Sequence, residues 1–120
     1  MADQTTYQGS CHCGAVRYEA RSEPISLAIS CNCSMCRRKG TLLAFIPGSD
    51  FTLTAGADAL TDYQFNKHII HHLFCSTCGV TSFARGTLPD GTPTVALNVR
   101  CIDAIDLDAL TITPFDGQNT

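Results

Sequence analysis

Cysteine is the residue type here whose number and spacing point most directly to chemistry, with eight in 120 residues. They form three clusters and a singleton: Cys11 and Cys13; Cys31, Cys33 and Cys36; Cys75 and Cys78; and Cys101. A disulfide framework and metal sites compete to explain such a count. Met1 to Ser10 carries no basic n-region or apolar h-region, and the longest apolar run, about Leu42 to Pro47, is far below the ~20 residues that cross a bilayer. A cytoplasmic setting without membrane or export is therefore expected, and reducing conditions there make disulfides short-lived. Metal is the preferred reading.

Spacing sharpens it. Cys75-Ser-Thr-Cys78-Gly79 reads as a zinc knuckle, whose two-residue spacer brings both sulfurs to ~2.3 Å from one zinc while Gly79 takes the positive φ of the turn. In an extended segment the i and i+2 sulfurs of Cys11/Cys13, and those of Cys31/Cys33, point the same way, so each pair can grip one ion. A knuckle supplies two ligands and a closed structural site needs four, so another pair must reach it, and Cys11/Cys13 is the natural partner. Cys31, Cys33 and Cys36 offer three ligands within six residues, a local triplet able to hold a metal with one position open, as catalytic or substrate-binding zinc requires. Buried, reduced thiols are the bland alternative for the triplet. Cys101 defaults to core packing, with a fourth ligand or a nucleophile as its minority roles.

The elements that must position these residues read as strands. Segments rich in Val, Ile, Thr, Phe and Tyr lie at Ala15–Ala20, Leu27–Cys31, Leu42–Ile46, Phe51–Thr54, Ala59–Phe65, His68–Phe74, Val80–Ala84 and Thr94–Val99. Turn signals separate them at Ser22–Pro24, Pro47–Asp50, Ala55–Asp58, Asn66–Lys67 and Pro89–Pro93, which suits antiparallel sheets rather than βαβ units. Helix is expected only at Ser34–Lys39, N-capped by Ser34, and near Ile105–Leu110. No repeat or charge block divides the chain, so residues 1–120 are read as a single domain with a core of about 7–116 and loose ends at Met1–Thr6 and Gly117–Thr120. With 44% apolar and 16% charged residues the chain can bury a core. A formal net charge of −3 leaves no polybasic face for nucleic acid.

The strings Gly9-Ser-Cys-His-Cys-Gly-Ala-Val-Arg-Tyr-Glu19, Cys31-Asn-Cys-Ser-Met-Cys-Arg-Arg38, His72-Leu-Phe-Cys-Ser-Thr-Cys-Gly79, Asn98-Val-Arg-Cys101 and Phe115-Asp-Gly117 together resemble the glutathione-dependent formaldehyde-activating family, which also includes centromere protein V. The resemblance spans nearly the whole chain. It implies a mainly β, β-tent fold of zinc-stapled antiparallel sheets with very little helix. It further implies two zinc ions per chain, a structural one on Cys11, Cys13, Cys75 and Cys78 and a second on Cys31, Cys33 and Cys36. The activity it implies is that of a carbon–sulfur lyase joining glutathione and formaldehyde reversibly into S-hydroxymethylglutathione.

Thiolate chemistry fits such a triplet independently. Three thiolates outweigh one divalent zinc, so carbonyl polarisation is weak, but a fourth sulfur can be admitted as thiolate and delivered to an electrophilic carbon. The resulting alkoxide needs a proton, for which His72 and His12 are nearest in sequence, whereas His68 and His71 read as ordinary strand residues. Arg37, Arg38 and Lys39 follow Cys36 and could receive the carboxylates of glutathione, or simply offset the negative site. Two rivals are a non-catalytic zinc-binding interaction module and a methionine sulfoxide reductase-like enzyme using Cys101. The first leaves an open triplet without purpose, and the second lacks a tryptophan and has Cys-x-Cys as its first motif.

Overall fold

The computed structural model describes residues 4–64 and 70–116. In chain order these form β1 (Thr5–Ser10), β2 (Arg17–Ser22), β3 (Leu27–Cys31), α1 (Ser34–Lys39), β4 (Leu43–Pro47), β5 (Phe51–Ala55), β6 (Leu60–Tyr63), β7 (His72–Cys75), β8 (Phe83–Thr87), β9 (Pro93–Asn98) and β10 (Thr111–Phe115). The strands make a three-stranded sheet β1-β2-β5, a five-stranded sheet β10-β3-β4-β9-β8 and a ribbon β6-β7. The mainly β architecture with one short α-helix is the expected one.

Alternation explains how the sheets meet. Tyr7 on β1, and Tyr18 and Ala20 on β2, turn inward between exposed neighbours. Tyr18 packs against Phe51 of β5 and Phe83 of β8 with ring centroids 5.2 Å and 5.9 Å away, and the two phenylalanines lie 4.7 Å apart. This aromatic trio, geometry that adds to area burial, joins the three-stranded sheet to the five-stranded one. Strand β9, interior to the five-stranded sheet, is buried along Val95–Asn98, with Val95 and Leu97 in the same core as the aromatic trio.

Gly9 pairs with Tyr18 across β1 and β2, and the Tyr18 ring lies over it. A Cβ at Gly9 would collide with Cζ and the hydroxyl of Tyr18 and stand 2.7 Å from Cε1. Tyr18 is 1% exposed and wedged by two phenylalanines, so it has no room to retreat. Gly9→Ala is expected to cost about 1–3 kcal/mol, the range for overpacking, measured as a lower urea midpoint at unchanged slope; an unshifted midpoint would contradict this packing.

Several sequence expectations are corrected. Residues Thr5 and Thr6, placed in a loose end, begin β1, while Leu27–Cys31 matches β3. The segment Ala15–Ala20 shifts to Arg17–Ser22, and Val80–Ala84 to Phe83–Thr87, because the chain after Cys78 folds back so that the Cys75 N–H donates to Val80 O at 3.0 Å. Strand β10 has no counterpart among the expected segments, and it pairs parallel with β3, so the sheets are not wholly antiparallel. Ile105–Leu110 yields only a 3-10 turn at Leu107–Ala109, capped by Asp106. The expected segments Ala59–Phe65 and His68–Phe74 reduce to β6 and β7; Phe65, the Asn66–Lys67 turn and His68 lie outside the described residues. Among the described residues no helix is long and apolar enough to cross a membrane.

Candidate functional site

Cys11 and Cys13 sit on a turn directly after β1, closed by the Gly14 N–H donating to Cys11 O at 3.3 Å, rather than on an extended segment. Cys75 ends β7, and Cys78 follows in a turn closed by Gly79 N–H to Cys75 O at 2.8 Å, with Gly79 at φ 81° as that turn demands. The fold brings the two pairs together. Sγ of Cys13 is 3.6 Å from Sγ of Cys11 and 3.6 Å from Sγ of Cys75, and all four sulfurs lie within 4.8 Å of one another. Four ligands ~2.3 Å from a tetrahedral zinc stand ~3.8 Å apart, so this spacing fits a shared metal. None of the eight cysteines is in a disulfide.

Backbone amides favour the thiolate at Cys75 and Cys78, whereas Cys13, although the Ala15 amide opposes it, is pushed up to about 11 by burial and its cysteine neighbours. Val16 N–H donates to Cys11 Sγ at 3.4 Å, and Thr77 and Cys78 N–H donate to Cys75 Sγ at 3.4 and 3.5 Å. The amide donors of Cys78 and Thr77 lower the Cys75 pKa, and backbone donors, Cys13 first and then Val80, hold Cys78 down at about 6.

The second cluster is built at the junction of β3 and α1. Cys31 ends β3, and Cys33 is the N-cap of α1, its sulfur accepting the Cys36 N–H at 3.3 Å. Ser34, expected as the cap, is the first helical residue instead. Gly40 closes the helix with its N–H on Cys36 O. The three sulfurs lie within 4.8 Å of one another, and among the described residues no fourth metal-ligating side chain joins them. Strand β10 steadies this loop: Asn32 donates its backbone N–H to Phe115 O at 3.1 Å and Nδ2 to Asp116 Oδ1 at 3.0 Å. Burial pushes Cys36 up to about 12, with Cys33 adding to the rise; Cys33, although burial opposes it, is lowered by the Cys36 amide.

A groove of about 460 Å³ is lined by Lys39 and Thr41, which follow the triplet in sequence, by Phe74, Val80 and Thr81, which flank the knuckle, and by Asn98. Asn98 is the clamp: Nδ2 donates to Thr81 O at 2.8 Å, while Oδ1 accepts the N–H of Leu42 at 3.4 Å and of Arg100 at 3.3 Å. Sequence reasoning gives neither Thr81 nor Asn98 this role, since each gains it only when distant segments meet.

The remaining sequence candidates separate. Lys39 turns inward, Nζ donating to Thr81 Oγ1 at 2.7 Å and lying 5.8 Å from the Phe74 ring centroid, and burial lowers its pKa. Arg37 and Arg38 are exposed on α1, where Arg38 Nη1 donates to Ser34 O at 3.0 Å. His72 is buried on β7, on the same face as Phe74; burial and then the Lys39 charge lower its pKa, so it is neutral at pH 7. His12 is exposed on the turn between Cys11 and Cys13. The Cys101 thiol faces Thr81 O at 3.7 Å, and burial, followed by Cys11 and Cys78, raises it to about 11, which suits packing rather than a nucleophile.

Against known proteins, residues 6–113 match the family model described as glutathione-dependent formaldehyde-activating enzyme. A crystal structure of a Rhodobacter sphaeroides protein is similar at a TM-score of 0.77 and 33% sequence identity, over 89% of this chain and 97% of that one. With residues 6–113 matched, a span that includes both cysteine clusters, this chain belongs to the glutathione-dependent formaldehyde-activating enzyme family.

Proposed function

We propose that the protein is a zinc-dependent carbon–sulfur lyase that makes and breaks thiol–aldehyde adducts such as S-hydroxymethylglutathione. The observation that carries this reading is the three-sulfur cluster, which lacks a fourth protein ligand among the described residues and whose Cys36 stands three residues before Lys39, which lines a groove large enough for a peptide thiol. Cys11, Cys13, Cys75 and Cys78 would hold a structural zinc, and Cys31, Cys33 and Cys36 the working one. Held by those three thiolates, a zinc there would supply a soft centre better suited to a fourth sulfur than to polarising a carbonyl.

The chain's own residues do the rest. The Lys39 ammonium, fixed by Thr81 and Phe74, and the exposed Arg37 and Arg38 meet the carboxylates of glutathione. His72, neutral at pH 7, accepts the thiol proton as the carbon–sulfur bond forms and returns it to the aldehyde oxygen, so the proton moves from sulfur to oxygen with none gained or lost.

Cobalt in place of zinc tests this. Glutathione is expected to strengthen the thiolate-to-cobalt charge-transfer band of the fully loaded protein, and S-methylglutathione, which cannot ionise at sulfur, to leave it unchanged. Arg37→Ala with Arg38→Ala should weaken the glutathione response by about 1.5–3 kcal/mol for each charge-assisted hydrogen bond to a carboxylate that the pair supplies. Absence of any response to a thiol would remove the lyase reading and leave a zinc-binding interaction module.

A further inference from the structure

At the other end of β9 lies a second concavity, about 340 Å³, lined by Gly48, His71, Arg85, Pro93, Thr94 and Val95 among others. Thr94 pairs with Pro47 of β4, whereas Asn98 in the groove pairs with Leu43. Four residues of strand therefore separate the two, roughly 13 Å at the rise of an extended chain.

Two nitrogen-bearing side chains converge there. His71 N–H donates to Arg85 O at 2.7 Å and Arg85 N–H to His71 O at 3.1 Å, an antiparallel bridge that sends both side chains to one face. His71 Nδ1 is 2.6 Å from Asp62 Oδ2, which orients the ring and engages that carboxylate. The Arg85 guanidinium lies 5.0 Å from the Phe51 ring centroid and 5.3 Å from that of Phe83. The two ring centroids are 4.7 Å apart, so both rings back the same side of the guanidinium, and among the described residues neither a hydrogen bond nor a carboxylate engages its remaining donors. Among the described residues the cavity thus holds a planar cation without a carboxylate partner, beside the apolar wall of Pro93.

We propose that this concavity is a second ligand site, for a small organic carboxylate whose charged end meets the edge of Arg85 beside His71 and whose apolar body lies against the exposed Pro93. A guanidinium edge matches a planar carboxylate through two parallel hydrogen bonds, and the wall gives an apolar tail a reason to enter.

NMR titration of the metal-loaded protein with benzoate tests it. Benzoate is expected to shift the Arg85 side-chain and His71 ring signals saturably, and benzamide, its neutral counterpart, to leave them in place. Arg85→Gln should weaken benzoate binding about tenfold or more, as removal of a charge-assisted hydrogen bond does. Should that variant lose its dispersed spectrum, Arg85→Lys decides instead: it keeps a cation over the two rings but lacks the fork, so binding should fall severalfold. Equal binding of benzamide, a stronger response to inorganic phosphate than to benzoate, or unchanged affinity in the folded variant would each overturn the proposal.

Discussion

Cys75→Ser is expected to unfold the protein. The substitution barely changes volume, so packing alone would forgive it, but it removes one of four sulfurs that lie within 4.8 Å of one another. Serine is a poor replacement because the soft thiolate is what zinc selects at such a site. Apparent binding free energies at structural thiolate zinc sites are about 10–16 kcal/mol, comparable with or above the whole stability of a small domain, about 5–15 kcal/mol. Topology adds to the effect: Cys13 and Cys75, 62 residues apart in sequence, meet at 3.6 Å, and closing a loop of that length costs about 4 kcal/mol on logarithmic scaling. Cys101→Ser is the matched control, since it makes the same chemical change outside both clusters and a hydroxyl can still face Thr81 O. Circular dichroism should show loss of structure in the first variant and native structure in the second. A Cys75→Ser protein that stayed folded with its full metal content would mean that the knuckle is not a structural metal site.

What the sequence discloses and withholds follows the range of the interactions involved. Ligand spacing is local, so both clusters are readable from Cys-x-Cys, Cys-x-Cys-x-x-Cys and Cys-x-x-Cys, and so is the positive φ of Gly79 within the knuckle turn. Strand β3 is readable as well, for its apolar residues lie between the Ser22–Pro24 turn signal and the helix expected at Ser34–Lys39. The edge strand β10 is not: all five of its residues are exposed, Pro114 interrupts its donors, and what holds it is parallel pairing with a strand some 80 positions earlier. Yet its last residues tether Asn32, between two of the triplet cysteines, so an unreadable element positions a readable site. The cap of α1 misleads for another reason. Serine is the better N-cap by propensity, but grouping three sulfurs places Cys33 at that position and pushes Ser34 into the helix. The groove carries no local signature at all, because Lys39, Thr81 and Asn98 meet only through tertiary hydrogen bonds.

That same cap makes the second cluster separable from the fold, and Cys33→Ser is the variant that shows it. Its sulfur has two roles, accepting the Cys36 N–H at the head of α1 and completing a set of three ligands. A serine oxygen performs the first role well and the second poorly, so the helix should survive while the metal is lost. The cluster closes only a six-residue stretch, and α1 buries no residue, so little of the core depends on it. Cys33→Ser is therefore expected to keep its circular dichroism and melting temperature near those of the parent, to lose one metal ion per chain, and to lose the proposed lyase activity and all spectral response to glutathione. Cys33→Ala should lose the same metal and in addition about 1 kcal/mol of stability, the usual cost of an absent cap. Parent protein that binds only one equivalent even after zinc is added back would refute the second site. Cys33→Ser protein that retained both ions and full activity would show that the open cluster is not where the chemistry happens.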